Sequence, residues 1–192
     1  MSRSLYEIYL NKNKPSNQIE YDKYLSLHIA NVRKTFEERF LPYYENELSL
    51  EDIDSLREQI SHHDDSKTSV EEYQPYVDKF YPDGSKSKEM IYDNFAYAWL
   101  HHLHNNPHHP QYWYLRNDTD HNEDRVLDIP FNYIVEMLCD WGSFYYMDEE
   151  KKPGIHPNSR ARDWYNLHGE EFGFSDNTKN QIEKIFDKCL NL

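Results

Sequence analysis

Apolar residues in this chain recur at the period of a helix, every three to four positions, and nowhere alternate in the manner of a half-buried strand. Leu25, Ile29, Val32, Phe36 and Phe40 fall on one stripe bounded by Pro42, which predicts a first helix over 21–40. Ser49 with Asp52 three residues later forms a capping box, and Ile53, Leu56 and Ile60 carry a second stripe into His62 and His63. Thr68 and Glu71 repeat the capping pattern ahead of Tyr73, Tyr76, Val77 and Phe80, until Tyr81-Pro82-Asp83-Gly84 turns the chain. A fourth stripe, Ile91, Phe95, Ala98 and His102, starts near Ser87 and stops at Asn105-Asn106-Pro107. Residues 111–125 are polar and read as irregular. Asp128 then stands as a cap, with Pro130 in the first turn of a helix through Tyr133, Met137, Leu138, Trp141 and Phe144. A helix over 158–168 and a last one carrying Ile182, Ile185, Phe186 and Cys189 complete the pattern. The expectation is all-α: a single helical bundle over residues 1–192, with 1–20 as a peripheral segment and no internal repeat.

Hydrophobic residues make up only 38% of the chain and charged ones 29%, but aromatics reach 16%, with 17 tyrosines. Large rings can fill an interior while their hydroxyls stay wet or bonded, and a chain of this length can bury a real core. The formal charge of −14 repels polyanions, so non-specific nucleic-acid binding is not expected. A small phosphorylated ligand would need local positive charge from a metal or from a few lysines and arginines. Cys139 and Cys189 are the only cysteines, which reads as a reduced cytoplasmic protein without a disulfide frame. The amino terminus lacks the apolar core of a secretion signal, and no stretch approaches the roughly 18 apolar residues of a membrane span.

Histidine is the outlier. There are 11, and seven sit in two tight clusters, His62-His63 and His101 to His109. Imidazole and carboxylate together suit Mn, Fe, Co, Ni or Zn, whereas Mg and Ca prefer oxygen alone. In His63-Asp64-Asp65-Ser66-Lys67, a histidine and the adjacent aspartate stand at a helix end, where the aspartate can bridge two neighbouring cations. Lys67 follows one turn on, where it could meet a phosphate oxygen that the cations also bind.

In the order of these residues the chain resembles the HD-domain metal-dependent phosphohydrolases, an all-helical superfamily with an H…HD…H…H…D signature. The resemblance implies a fold like theirs and one or two divalent transition metal ions. It assigns His28, His63, Asp64 and Asp140 to a first site, and Asp64, His102, His108 and His109 to a second. The His63–Lys67 segment is similar to the HD-x-G-K form of the cyclic-dinucleotide phosphodiesterase branch, with Ser66 at the glycine position, which implies that Lys67 contacts phosphate. The glycine-tyrosine-proline segment of that branch is absent, and His102 and His108 stand closer together here. The stretches HHDDSK, AWLHHLHNNPHHPQYW and EMLCDW also resemble a family of uncharacterised small proteins of bacteria and phages.

Plainer readings stand beside these. His28 and His102 could be core histidines bonded to buried polar groups, and HHLHNNPHH an exposed run that scavenges metal adventitiously. His101 and His104 point away from the His102 stripe, although His104 could bond a substrate. Asp140 could pair with an arginine, Glu136 could support a ligand from behind or lie exposed, and Lys67 could be a solvated charge. Arg160 and Arg162, a basic pair in an acidic chain, are candidates for anchoring a phosphate. Tyr112-Trp113-Tyr114 could stack on a nucleobase. Ser66 has no oxyanion hole or nucleophile elbow and is not taken as a nucleophile. The leading expectation is a hydrolase acting on a nucleotide or small phosphate ester through metal-activated water, with Asp64 and Lys67 in the reaction. The alternatives are a non-catalytic nucleotide- or protein-binding scaffold and a di-iron redox enzyme.

Overall fold

A computed structural model describes residues 14–120, 123–151, 160–189 and 192. The chain is mostly helical. Helix α1 (Ser16–Thr35) runs through a π-helical turn (Phe36–Phe40) into the short α2 (Leu41–Tyr44), and α3 (Leu50–Ser61) follows. A 3-10 turn (Asp65–Thr68) leads to α4 (Tyr73–Phe80) and α5 (Lys88–Asn105). After a second 3-10 turn (Pro110–Trp113) comes a hairpin of β1 (Tyr114–Asp118) and β2 (Glu123–Val126), then α6 (Phe131–Lys151), α7 (Arg160–His168) and α8 (Asp176–Lys188).

Contacts divide the chain into two compact units, one of residues through Leu27 with Asp65–His102, the other of His28–Asp64 with Leu103–Leu192. The first is packed with rings, as the tyrosine content anticipates. Tyr21 meets Tyr73 edge-on at 5.5 Å, and Phe95 receives Tyr76 and Phe80 at 5.1 and 5.5 Å. The second holds an aliphatic and aromatic core in which Val32, Phe36, Ile60, Leu138, Ile182 and Phe186 are fully buried. These are the stripes of α1, α3, α6 and α8 facing inward.

Four local expectations are corrected. The first helix does not stop at residue 40: Pro42 lacks an N–H to continue the α ladder, and the chain widens into the π turn before restarting as α2 with proline in its first turn. Thr68 does not open α4, because its hydroxyl donates to the Asp65 carbonyl and closes the 3-10 turn. Residues 114–118 and 123–126 are paired strands, Tyr114 with Val126 and Leu115 with Arg125, with a register shift between Leu115 and Asp118. Most of their residues are exposed, so no face alternates. Asp128 does not cap α6; its carboxylate accepts from Ser175 Oγ and Asn177 Nδ2 and serves the start of α8. The expected start of a helix at Asn158 lies outside the described residues. Among the described residues no helix is long and apolar enough to cross a membrane.

Candidate metal centre

The second unit builds its centre where α3 ends. The backbone N–H groups of His62 and His63 bond to the carbonyls of Gln59 and Ile60, and Asp64 then takes a φ of 62°. That left-handed region is costly for side chains with a Cβ, and Asp is among the residues that tolerate it. One residue thus turns the chain out of the helix, and His63 and Asp64 are both buried.

Helix α6 supplies the acids. Asn132, Glu136, Asp140 and Ser143 recur at helical spacing as a polar stripe on a helix whose Ile134, Val135, Met137 and Leu138 are fully buried. Gly142 lets α1 come close, since a Cβ there would lie 2.9 Å from Thr35 Cγ2. The approach brings His28 to this stripe, with its Nδ1 3.3 Å from Ser143 Oγ.

Four atoms then converge. His28 Nε2 lies 3.2 Å from Asp140 Oδ1 and 3.3 Å from Asp64 Oδ2, and His63 Nε2 lies 3.4 Å from Asp64 Oδ2 and 3.7 Å from Asp140 Oδ1. Charge-assisted hydrogen bonds are shorter, about 2.7–2.9 Å. Ligands about 2.0–2.2 Å from one cation stand about 2.9–3.5 Å apart in octahedral or tetrahedral array. The spacings of His28, His63 and Asp64, whose ligand atoms all lie within 4.8 Å of one another, suit a shared ion. His63 Nε2 is buried and makes no hydrogen bond, a costly condition that a cation relieves. Asp64, His108 and His109 offer a second grouping, their ligand atoms within 4.8 Å of one another. His108 Nε2 stands 3.8 Å from Asp64 Oδ1, the oxygen turned away from His28 and His63. These buried clusters could bind a metal ion.

Glu136, which could have lain exposed, is buried: His63 Nδ1–H donates to its Oε1 at 2.8 Å, and His108 Nδ1–H to the same oxygen at 3.0 Å. The charges respond accordingly. Burial opposes protonation of His63, but the Asp64 charge, the nearby Asp140 carboxylate and the bond to Glu136 outweigh it and lift the ring to about 10. His28 is likewise raised: burial opposes this, and Asp140 and Asp64 overcome it. Burial pushes Glu136 up, yet His108 and His63 bring it down to about 2, and Asp140 is held well below its ordinary range by His28 and His63 despite burial. The acids demand positive charge.

The pattern of a family of unknown function, DUF5662, matches residues 17–188. The chain belongs to DUF5662. No curated protein and no solved structure matches it. The matched span of this DUF5662 chain contains the whole centre, from His28 to Ser143.

The remaining candidates of the DUF5662 chain have contacts of their own. His102 is in the first unit, buried on α5, where its Nδ1–H donates to Glu72 at 2.8 Å and Trp99 stacks on its ring. His101 donates to the other oxygen of Glu72 at 2.7 Å, and His104 is exposed. Lys67, half-buried in the same unit, holds its ammonium 5.5 Å from the Tyr76 ring centre. Arg162 donates to Asp187 and lies over Phe186, and Arg160 opens α7 with a side chain outside the described residues. Trp113 donates to the Pro107 carbonyl at 2.8 Å and so holds the loop that carries His108 and His109.

Sequence reasoning missed Glu72 altogether. The signal for Glu136 was present, a polar stripe at four-residue spacing on an apolar helix.

Proposed function

We propose that this DUF5662 chain is a metal-dependent phosphohydrolase of HD-domain type, acting on a nucleotide or another small phosphate ester. The observation that carries it is the buried grouping of His28, His63 and Asp64, with both imidazole Nε2 atoms 3.2 to 3.7 Å from the Asp64 and Asp140 carboxylate oxygens. These are the residues that the resemblance assigns to one cation. Two imidazoles and two carboxylates favour Mn, Fe, Co, Ni or Zn over Mg or Ca. Bound there, a divalent ion would supply Lewis-acid polarisation of a phosphoryl oxygen and a water of lowered pKa.

The chain's own part is to hold and to exclude. The rings of His28 and His63 and the Asp64 carboxylate have side-chain exposures of 3%, 0% and 1%, whereas Asp140 keeps 14%. Asp140 is thus the most exposed of the four. Asp64 presents its second oxygen towards His108, which allows it to bridge two cations.

Metal analysis of the purified protein, followed by assay of a nucleotide panel with Mn or Fe, tests the reading. At least one equivalent of metal and turnover lost in Asp64→Ala are expected. A wild-type protein without stoichiometric metal overturns it.

A further inference from the structure

A histidine ring can coordinate only through the nitrogen that its other contacts leave without a proton, so whatever fixes the far side of the ring decides what the near side can do. We propose that Glu136 is a positioning residue that commits His63 and His108 together to offering Nε2 to cations, an inference that rests on the metal-centre reading above.

The geometry is specific. Both rings donate their Nδ1–H to one oxygen, Glu136 Oε1, at 2.8 and 3.0 Å. The other oxygen accepts from Gln59 Nε2, and Gln59 is held in turn by Asn132, whose Nδ2 donates to Gln59 Oε1 at 2.6 Å. Glu136 is 4% exposed. With both oxygens bonded it is a clamp for the rings, and the grouping of His63, His108 and Glu136 within 4.8 Å is not a further cation site. The nitrogens it turns inward flank Asp64 on its two oxygens, His63 Nε2 3.4 Å from Oδ2 and His108 Nε2 3.8 Å from Oδ1. One residue thereby sets ligands on both sides of the aspartate.

The first unit contains a related device. Glu72, with no exposure, accepts from His101 Nδ1 on one oxygen and His102 Nδ1 on the other. A glutamine in either place disturbs this. At 72 its NH₂ would meet one ring N–H; at 136 it would set the NH₂ against Gln59 Nε2 or, turned over, against both Nδ1–H groups, and it removes the charge that holds the protons on Nδ1.

The test uses Zn²⁺ alone with the full chain, measuring affinity by chelator competition and the Nδ1–H protons of His63 and His108 by NMR of ¹⁵N-histidine-labelled protein. Glu136→Gln should weaken Zn²⁺ binding by about 10–100-fold. It should also shift or remove both Nδ1–H signals together, since the two rings share one oxygen, while Glu136→Asp, which keeps the carboxylate, recovers much of both. Wild-type affinity in Glu136→Gln, or two Nδ1–H signals unmoved from wild type, overturns the proposal. Should Glu136→Gln fail to fold, the two signals in wild type and the affinity of Glu136→Asp decide. A wild-type protein that binds no Zn²⁺ overturns the phosphohydrolase reading and the ligand role of these rings together. Normal Zn²⁺ binding with an unaffected Glu136→Gln overturns the clamp alone.

Discussion

Asp64 combines a left-handed backbone with a carboxylate that faces a histidine on each side, and neither property alone would explain its burial. Asp64→Asn keeps the shape and the tolerance for positive φ while removing the charge. It should retain the helical circular dichroism of the wild type and lose bound metal, measured after gel filtration. The acids around His63 also set a pH dependence for chelator-treated protein. His63 is raised from 6.5 to about 10, so its stabilising contribution is complete below 6.5 and is lost as pH rises towards 10. Glu136, lowered from 4.5 to about 2, contributes above 4.5 and loses that contribution as pH falls towards 2. Thermal melts without metal should therefore decline between pH 6.5 and 9. Added Zn²⁺ should flatten that decline, because the cation takes the place of the protons. The sequence carries part of this site openly: an HD pair at a helix end, a histidine on the preceding helix and an aspartate on an apolar one are readable as residue types in order. Glu72 is not, since it follows Glu71 in a capping-like run and nothing in the spacing tells which of the two turns inward.

Helix boundaries follow from local chemistry where caps are strong. Ser49 accepts from the Asp52 N–H while the Asp52 carboxylate accepts from the Ser49 N–H, and α3 starts there as its capping box predicts. Ser49→Ala should cost about 1 kcal/mol in urea unfolding. Boundaries set by competition are less legible. The Thr68 hydroxyl had two uses, opening a helix or closing a turn, and only the folded chain decides between them. The hairpin escapes detection for a different reason: with most of both strands facing water, it has no buried side to impose alternation. Gly142 shows what a single missing methyl group does between elements. Gly142→Ala would set a Cβ 2.9 Å from the buried Thr35 and push α1 from α6. A loss of about 1–3 kcal/mol is expected, together with weaker metal binding as His28 withdraws from Asp140.

A cation bound only by the folded chain adds to its stability by mass action, about 2.7 kcal/mol at a hundredfold excess over Kd. Zn²⁺ titration should raise the melting temperature until the site fills, and a chelator should reverse the gain. The net charge of −14 works in the same direction, since the acidic chain attracts divalent cations before any specific contact forms. The four groups that converge in the second unit come from α1, from the end of α3 and from α6, so His28 and Asp140 are separated by most of the chain's middle. An ion shared by them would act as a clasp closed late. A growing polypeptide has no place to keep it until α6 has been synthesised, and after a single protease cut between His28 and Asp140 the clasp would reinforce the packed core in holding the fragments, so that a chelator should loosen their association.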